Sequence, residues 1–141
     1  EICNLGADNP SDYGDYYAWA EIETKDYYNW SSYRYFSTAS EFRAYVDKYT
    51  TDGSVGFLLK ADNLDRLEDM DDVASVLSDG EWHMPTAQDF EELRKNCSWE
   101  TVTVKGVKGL EIKSNVPGYK DKKIFIPFAG CMIDGQAEGL G

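Results

Sequence analysis

A single histidine, His83, is the only imidazole in this 141-residue chain. A zinc site of the His-Glu-x-x-His kind needs two, so that chemistry is excluded. A serine triad would have to recruit His83 as its base, and no Gly-x-Ser-x-Gly turn accompanies it. Neither Gly-x-x-x-x-Gly-Lys-Ser/Thr nor Gly-x-Gly-x-x-Gly occurs, which leaves nucleotide binding without a motif. No apolar run is long enough to span a bilayer as a helix. No leader is visible at Glu1, so any leader is expected to have been removed or to lie outside this sequence. The three cysteines, Cys3, Cys97 and Cys131, are an odd number and cannot form a complete disulfide framework. One pair plus a free thiol and three buried thiols both remain open. Positive charge is scarce: 14 Lys and Arg face 26 Asp and Glu, a net charge of -12. Such a surface repels phosphate backbones, so nucleic acid is excluded as an expected partner.

Aromatic residues, in contrast, make up 14% of the chain within a hydrophobic total of 42%. That composition can close a core, and the length fits one domain spanning residues 1–141. Charge is unevenly distributed. Residues 1–100 carry 22 acids against 8 bases, and residues 101–141 carry 4 against 6.

Along the chain, the aromatic run at residues 13–20 predicts a strand with Tyr17 and Trp19 on one face. Residues 21–37 show no helical period and predict a long ordered loop. Ser40 followed by Phe42, Tyr45, Val46 and Tyr49 predicts a capped helix over residues 41–49. A brief helix is expected at residues 71–77, with Val73, Ala74 and Leu77 inward and acids at its N-terminus. Trp82 and Met84 suggest a short strand. Thr86 with Asp89 three residues later reads as a capping box, and Phe90, Leu93 and Cys97 form one expected buried stripe. The period then switches from 3.6 to 2, which predicts a β-meander: residues 99–104, 110–114 and 124–127, with Gly106 and Gly109 at the first turn. Beyond Ala129 no terminating element is expected.

Two groups of residues are candidates for a site. Nine of the ten tyrosines lie in residues 1–49. Tyr27, Tyr28, Trp30, Tyr33 and Tyr35 are the candidate ligand-binding residues, because tyrosine and tryptophan give rigid contact area with a polar tip. Packing of the loop onto a β-scaffold would use the same residues. The second group is acidic: Asp62, Asp65 and Asp69 are hard oxygen donors suited to calcium. The segment misses the EF-hand pattern, since Leu64 stands two residues after Asp62 and no glycine follows at the sixth position. A solvated acidic face is the alternative. Catalytic carboxylates cannot be singled out among 26 acids, since their spatial separation defines that chemistry.

Several blocks resemble one family. Asp12-Tyr13-Gly14-Asp15-Tyr16-Tyr17-Ala18-Trp19-Ala20-Glu21 resembles its Asp-Tyr-Gly-Asp-Tyr-Tyr-Ala-Trp-Gly-Glu segment, with Ala20 in place of glycine. Cys3-Asn4-Leu5-Gly6-Ala7, Asp71-Asp72-Val73-Ala74, Trp82-His83-Met84-Pro85-Thr86 and Ile124-Phe125-Ile126-Pro127-Phe128-Ala129-Gly130 resemble further blocks in the same order, with His83 in place of arginine. The family is the Fibrobacter succinogenes major paralogous domain of secreted proteins and lipoproteins of Bacteroidetes. It is similar to the C-type-lectin-like fold of formylglycine-generating enzymes. The resemblance implies an α+β fold with two main helices packed on a twisted antiparallel sheet. It also implies a strand before Cys3 and a segment beyond Gly141. The expected location is secreted or at the cell surface, and the expected role is binding or adhesion to a glycan or protein through the aromatic loops. An enzyme of the formylglycine-generating type, a carboxylate-based hydrolase and a structural spacer are the alternatives. No catalytic residue carries over. Open sheet edges are expected to favour self-association.

Overall fold

Alternating side chains pair into sheets, and a capped polar segment with helical spacing coils; both rules operate here within short elements. The computed structural model describes residues 2–40 and 43–140. In chain order the strands are β1 (Phe36–Ser40), β2 (Arg43–Val46), β3 (Cys97–Val104), β4 (Val107–Ser114), β5 (Lys123–Pro127), β6 (Cys131–Ile133) and β7 (Gln136–Glu138). Between β2 and β3 lie two helices, α1 (Val73–Leu77) and α2 (Ala87–Asn96). Single 3-10 turns occur at Trp30–Ser32, Phe57–Leu59 and Asp69–Asp71. The protein is thus mixed α+β, with antiparallel strands in three small sheets, β1-β2, β3-β4-β5 and β6-β7.

The chain divides into two compact units. One comprises residues 1–16, 85–132 and 136–141; the other comprises residues 17–84 and 133–135. The first contains α2 and the three-stranded meander, and the second contains α1 and the β1-β2 hairpin.

The meander follows the predicted period. Val104 pairs with Val107 across a two-residue turn, Lys105-Gly106, with φ of 50° and 86°. Positive φ at both positions defines the turn whose twist suits a hairpin. Gly109 lies inside β4 rather than in that turn. A Cβ there would strike the Phe125 ring and the Ile126 carbonyl, so only glycine lets β5 approach. On one face Ile112 is flanked directly by Trp99 and Ile124, and it is 2% exposed. The capping box of α2 forms as read from the sequence: Thr86 Oγ1 accepts from the Asp89 N–H, and Asp89 accepts from the Thr86 N–H. The stripe on α2 is not buried, however. Phe90 is half exposed, and no residue of the helix is buried.

Other expectations are corrected. Residues 13–18 are irregular rather than a strand. There Tyr16 donates a 2.5 Å bond to the Ala129 carbonyl, and the chain turns at Ala20 with φ of 63°. Arg43–Val46 is a strand, not part of a helix, and Ser40 closes β1 instead of capping. Glu41 and Phe42, which began the expected helix, lie outside the described residues. In α1, Val73 and Ala74 are buried as expected, but Leu77 is exposed. Trp82 and Met84 form no strand. The glycine-rich end carries the β6-β7 hairpin. All three cysteines are free thiols, with Cys131 exposed.

Candidate functional site

The second unit is organised around carboxylates. Glu21, Asp71 and Asp72 are all buried, beside a modest apolar set of Ala20, Tyr45, Val73 and Ala74. A carboxylate leaves water at reasonable cost only when protein donors replace its solvation, and each of the three has them. Asp72 caps α1: its Oδ1 accepts from the Ala74 and Ser75 N–H groups, and its Oδ2 accepts from the Met84 N–H at 2.8 Å. Glu21 accepts from the Arg34 N–H at 2.7 Å and pairs with Lys25 at 2.5 Å.

Asp71 is the centre. Its side chain is 1% exposed and receives three strong donors: Tyr35 Oη at 2.7 Å, Tyr49 Oη at 2.7 Å and Lys48 Nζ at 2.6 Å. Arg34 Nη1 stands farther off, at 3.5 Å. Lys48 also binds Glu68, and its ammonium lies 4.8 Å from the Tyr49 ring centre and 5.6 Å from that of Tyr35. Burial by itself would raise the Asp71 carboxyl; the bonds from Lys48, Tyr35 and Tyr49 outweigh it and hold the group at about 2. Lys48 is raised in turn, first by its bond to Asp71 and then by Glu68. Burial raises Tyr35 and Tyr49, and donation to Asp71 adds to it. Tyr33 is pushed up to about 12, by burial first and by the Glu21 charge second.

These shifts set a pH window. A carboxyl depressed from 3.8 to about 2 contributes stability that is present above pH 3.8 and lost as pH falls toward 2. The loss expected from Asp71 is about 2 kcal/mol. Tyr33 acts at the opposite end: its neutral form contributes below pH 10, and that contribution is lost as pH rises through about 12. Urea titrations across pH should show both limbs. Asp71→Asn should make the acid limb shallower; an unchanged acid limb in that variant would refute the assignment.

The aromatic segment hangs from this centre. Its rings meet edge to face from Trp30 to Tyr33 at 6.0 Å, Tyr33 to Tyr35 at 6.2 Å and Tyr35 to Tyr49 at 5.8 Å. The turn at Trp30–Ser32 is capped by Asn29, whose Oδ1 accepts from the Ser32 N–H, while Ser32 Oγ donates to the Tyr27 carbonyl at 2.7 Å. Lys25 Nζ donates to the Ser32 carbonyl, and the Lys25 N–H donates to Tyr28 Oη. Glu21, Ile22, Glu23, Lys25, Ser32 and Arg34 border an open groove of about 450 Å³.

The five aromatic candidates therefore divide. Tyr35 is committed to Asp71, and Tyr28 and Tyr33 are half-buried. Tyr27 and Trp30 are 62% and 64% exposed. The acidic candidates do not converge. Asp62 accepts from the backbone N–H groups of Tyr49, Thr50 and Leu64, whereas Asp65 and Asp69 are exposed. Among the described residues no group of three or more potential ligands is placed to hold a metal ion. Sequence reasoning missed the Lys48–Tyr49–Asp71 cluster. Its one signal was the Asp71-Asp72-Val73-Ala74 block, an acidic pair running straight into apolar residues.

No helix among the described residues is long and apolar enough to cross a membrane. No protein-family model, no curated protein and no solved structure matches the chain.

Proposed function

We propose that this chain is a binding module of the C-type-lectin-like type, with helices packed on a twisted antiparallel sheet, acting outside the cytoplasm on a glycan or protein surface. The observation that carries the reading is the pair Tyr27 and Trp30, more than 60% exposed on a segment whose backbone is tied down at both ends. Exposed aromatic rings on a pre-ordered loop lose little entropy on binding and offer flat apolar faces with a polar rim. Pyranose rings and the side chains of a protein surface both suit such faces. A spacer domain would have no use for two large rings held in solvent on an ordered loop. The family resemblance gains support from Ala20: its φ of 63° is a conformation that glycine, the residue of the resembled block, adopts without strain.

The test is binding to an immobilised glycan array and to intact cells, with Tyr27→Ala and Trp30→Ala as variants. Each substitution should weaken binding about tenfold or more. Both variants should retain the cooperative unfolding of the parent, since neither ring is buried. Unaltered binding in both variants, or no binding by the parent to either surface, would overturn the proposal.

A further inference from the structure

We infer that the outer edge of β3 pairs with the same edge of a second copy, antiparallel, about a two-fold axis at Thr101. The hydrogen-bond phase of the meander supports this. The two-residue turn makes Val104–Val107 a hydrogen-bonded pair, so Val102 and Glu100 also direct their backbone groups at β4. The N–H and C=O groups of Trp99, Thr101 and Thr103 then point away from β4. Among the described residues no backbone or side-chain partner meets them. β3 is eight residues long, and its side chains are largely exposed. It carries no lysine, arginine or proline, the residues that usually blunt an edge; Glu100 is its one charge.

Self-pairing must match outward-facing residues with each other, which permits few registers. Centring on Glu100 would set two carboxylates directly opposite, an unfavourable pair. Glu100 already faces Glu111 on β4, a contact relieved by Lys123 at 2.6 Å. Centring on Thr101 instead places Thr101 against its twin, Trp99 against Thr103, and Glu100 against Val102. That register pairs seven residues from each copy and moves the two Glu100 side chains to a diagonal. Threonine pairs and aromatic–threonine pairs are favourable across antiparallel strands. A second copy is the occupant because every chain supplies this complementary strand.

Sedimentation of the chain over a wide concentration range should show a monomer–dimer equilibrium. Amide exchange at Trp99, Thr101 and Thr103 should slow as the dimer fills. Thr101→Pro removes an N–H that β4 does not use and should weaken the dimer at least about tenfold. Thr101→Lys, which leaves the backbone intact, should do the same. Glu100→Gln should tighten the dimer about threefold. A monomer at every concentration would overturn the inference. So would a dimer indifferent to both Thr101 variants, or one in which those three amides exchange as fast as in the monomer.

Discussion

Asp71→Ala is expected to cost about 3–5 kcal/mol of folding stability. The carboxylate accepts from two phenols and an ammonium at 2.6–2.7 Å, and hydrogen bonds to a charged group contribute more than neutral ones. Removing the acceptor leaves Tyr35 and Tyr49 with donors facing a void, and leaves Lys48 with Glu68 alone. The cost of the unmet groups, more than the lost attraction, sets the size of the effect. Lys48→Ala should be nearly as severe, because Asp71 would stay buried with Arg34 at 3.5 Å as its closest cation. Asp71→Asn should cost about half as much, since the amide oxygen still accepts while its nitrogen opposes the donors. Equilibrium urea unfolding measures all three. A loss below about 1 kcal/mol for Asp71→Ala would show that water solvates this site, contrary to its 1% exposure. On the proposed binding role the Asp71 variants have a second consequence: loosening Tyr35 frees the segment that carries Tyr27 and Trp30, so affinity should fall without either exposed ring being altered.

Ile112→Ala should cost about 2–5 kcal/mol, with Ile112→Val in the range of about 0.5–1.5 kcal/mol. Ile112 occupies the middle strand of the meander, with Trp99 and Ile124 opposite it on either side. The flanking strands fix both neighbours in register, so the cavity cannot easily collapse. Phe90→Ala is the internal control. The ring is larger, but it is half exposed on a helix that buries nothing, and its loss should stay within about 1 kcal/mol. Equal losses for Ile112→Ala and Phe90→Ala would contradict the placement of the first unit's buried centre in β4.

The elements legible in the sequence were those whose local rules need no distant partner. Thr86 and Asp89 bond to each other across three residues, so α2 could be read from four letters. Two-residue alternation placed β3, β4 and β5 because a pleated strand exposes its period directly. Phe42, Tyr45, Val46 and Tyr49 were misleading for the same kind of reason. Over so short a span their spacing fits a helix, yet β-favouring side chains and pairing with Phe36–Ser40 make the described part a strand. Residues 13–20 misled by composition: aromatic residues suit strands, but Tyr16 is held by Ala129 and Ala20 turns the chain.

Composition and spacing alone determined the acidic character, the absence of zinc and nucleotide motifs, the capped helix and the meander, because each depends on residues adjacent along the chain or on simple counts. Which acids are buried, which aromatic rings face solvent and where the core lies were decided only by tertiary structure. Asp71 and Asp69 are indistinguishable as letters two places apart. One meets Lys48, Tyr35 and Tyr49, brought from more than twenty residues away, and the other meets water. Desolvation depends on those long-range neighbours, and they exist only once the chain has folded.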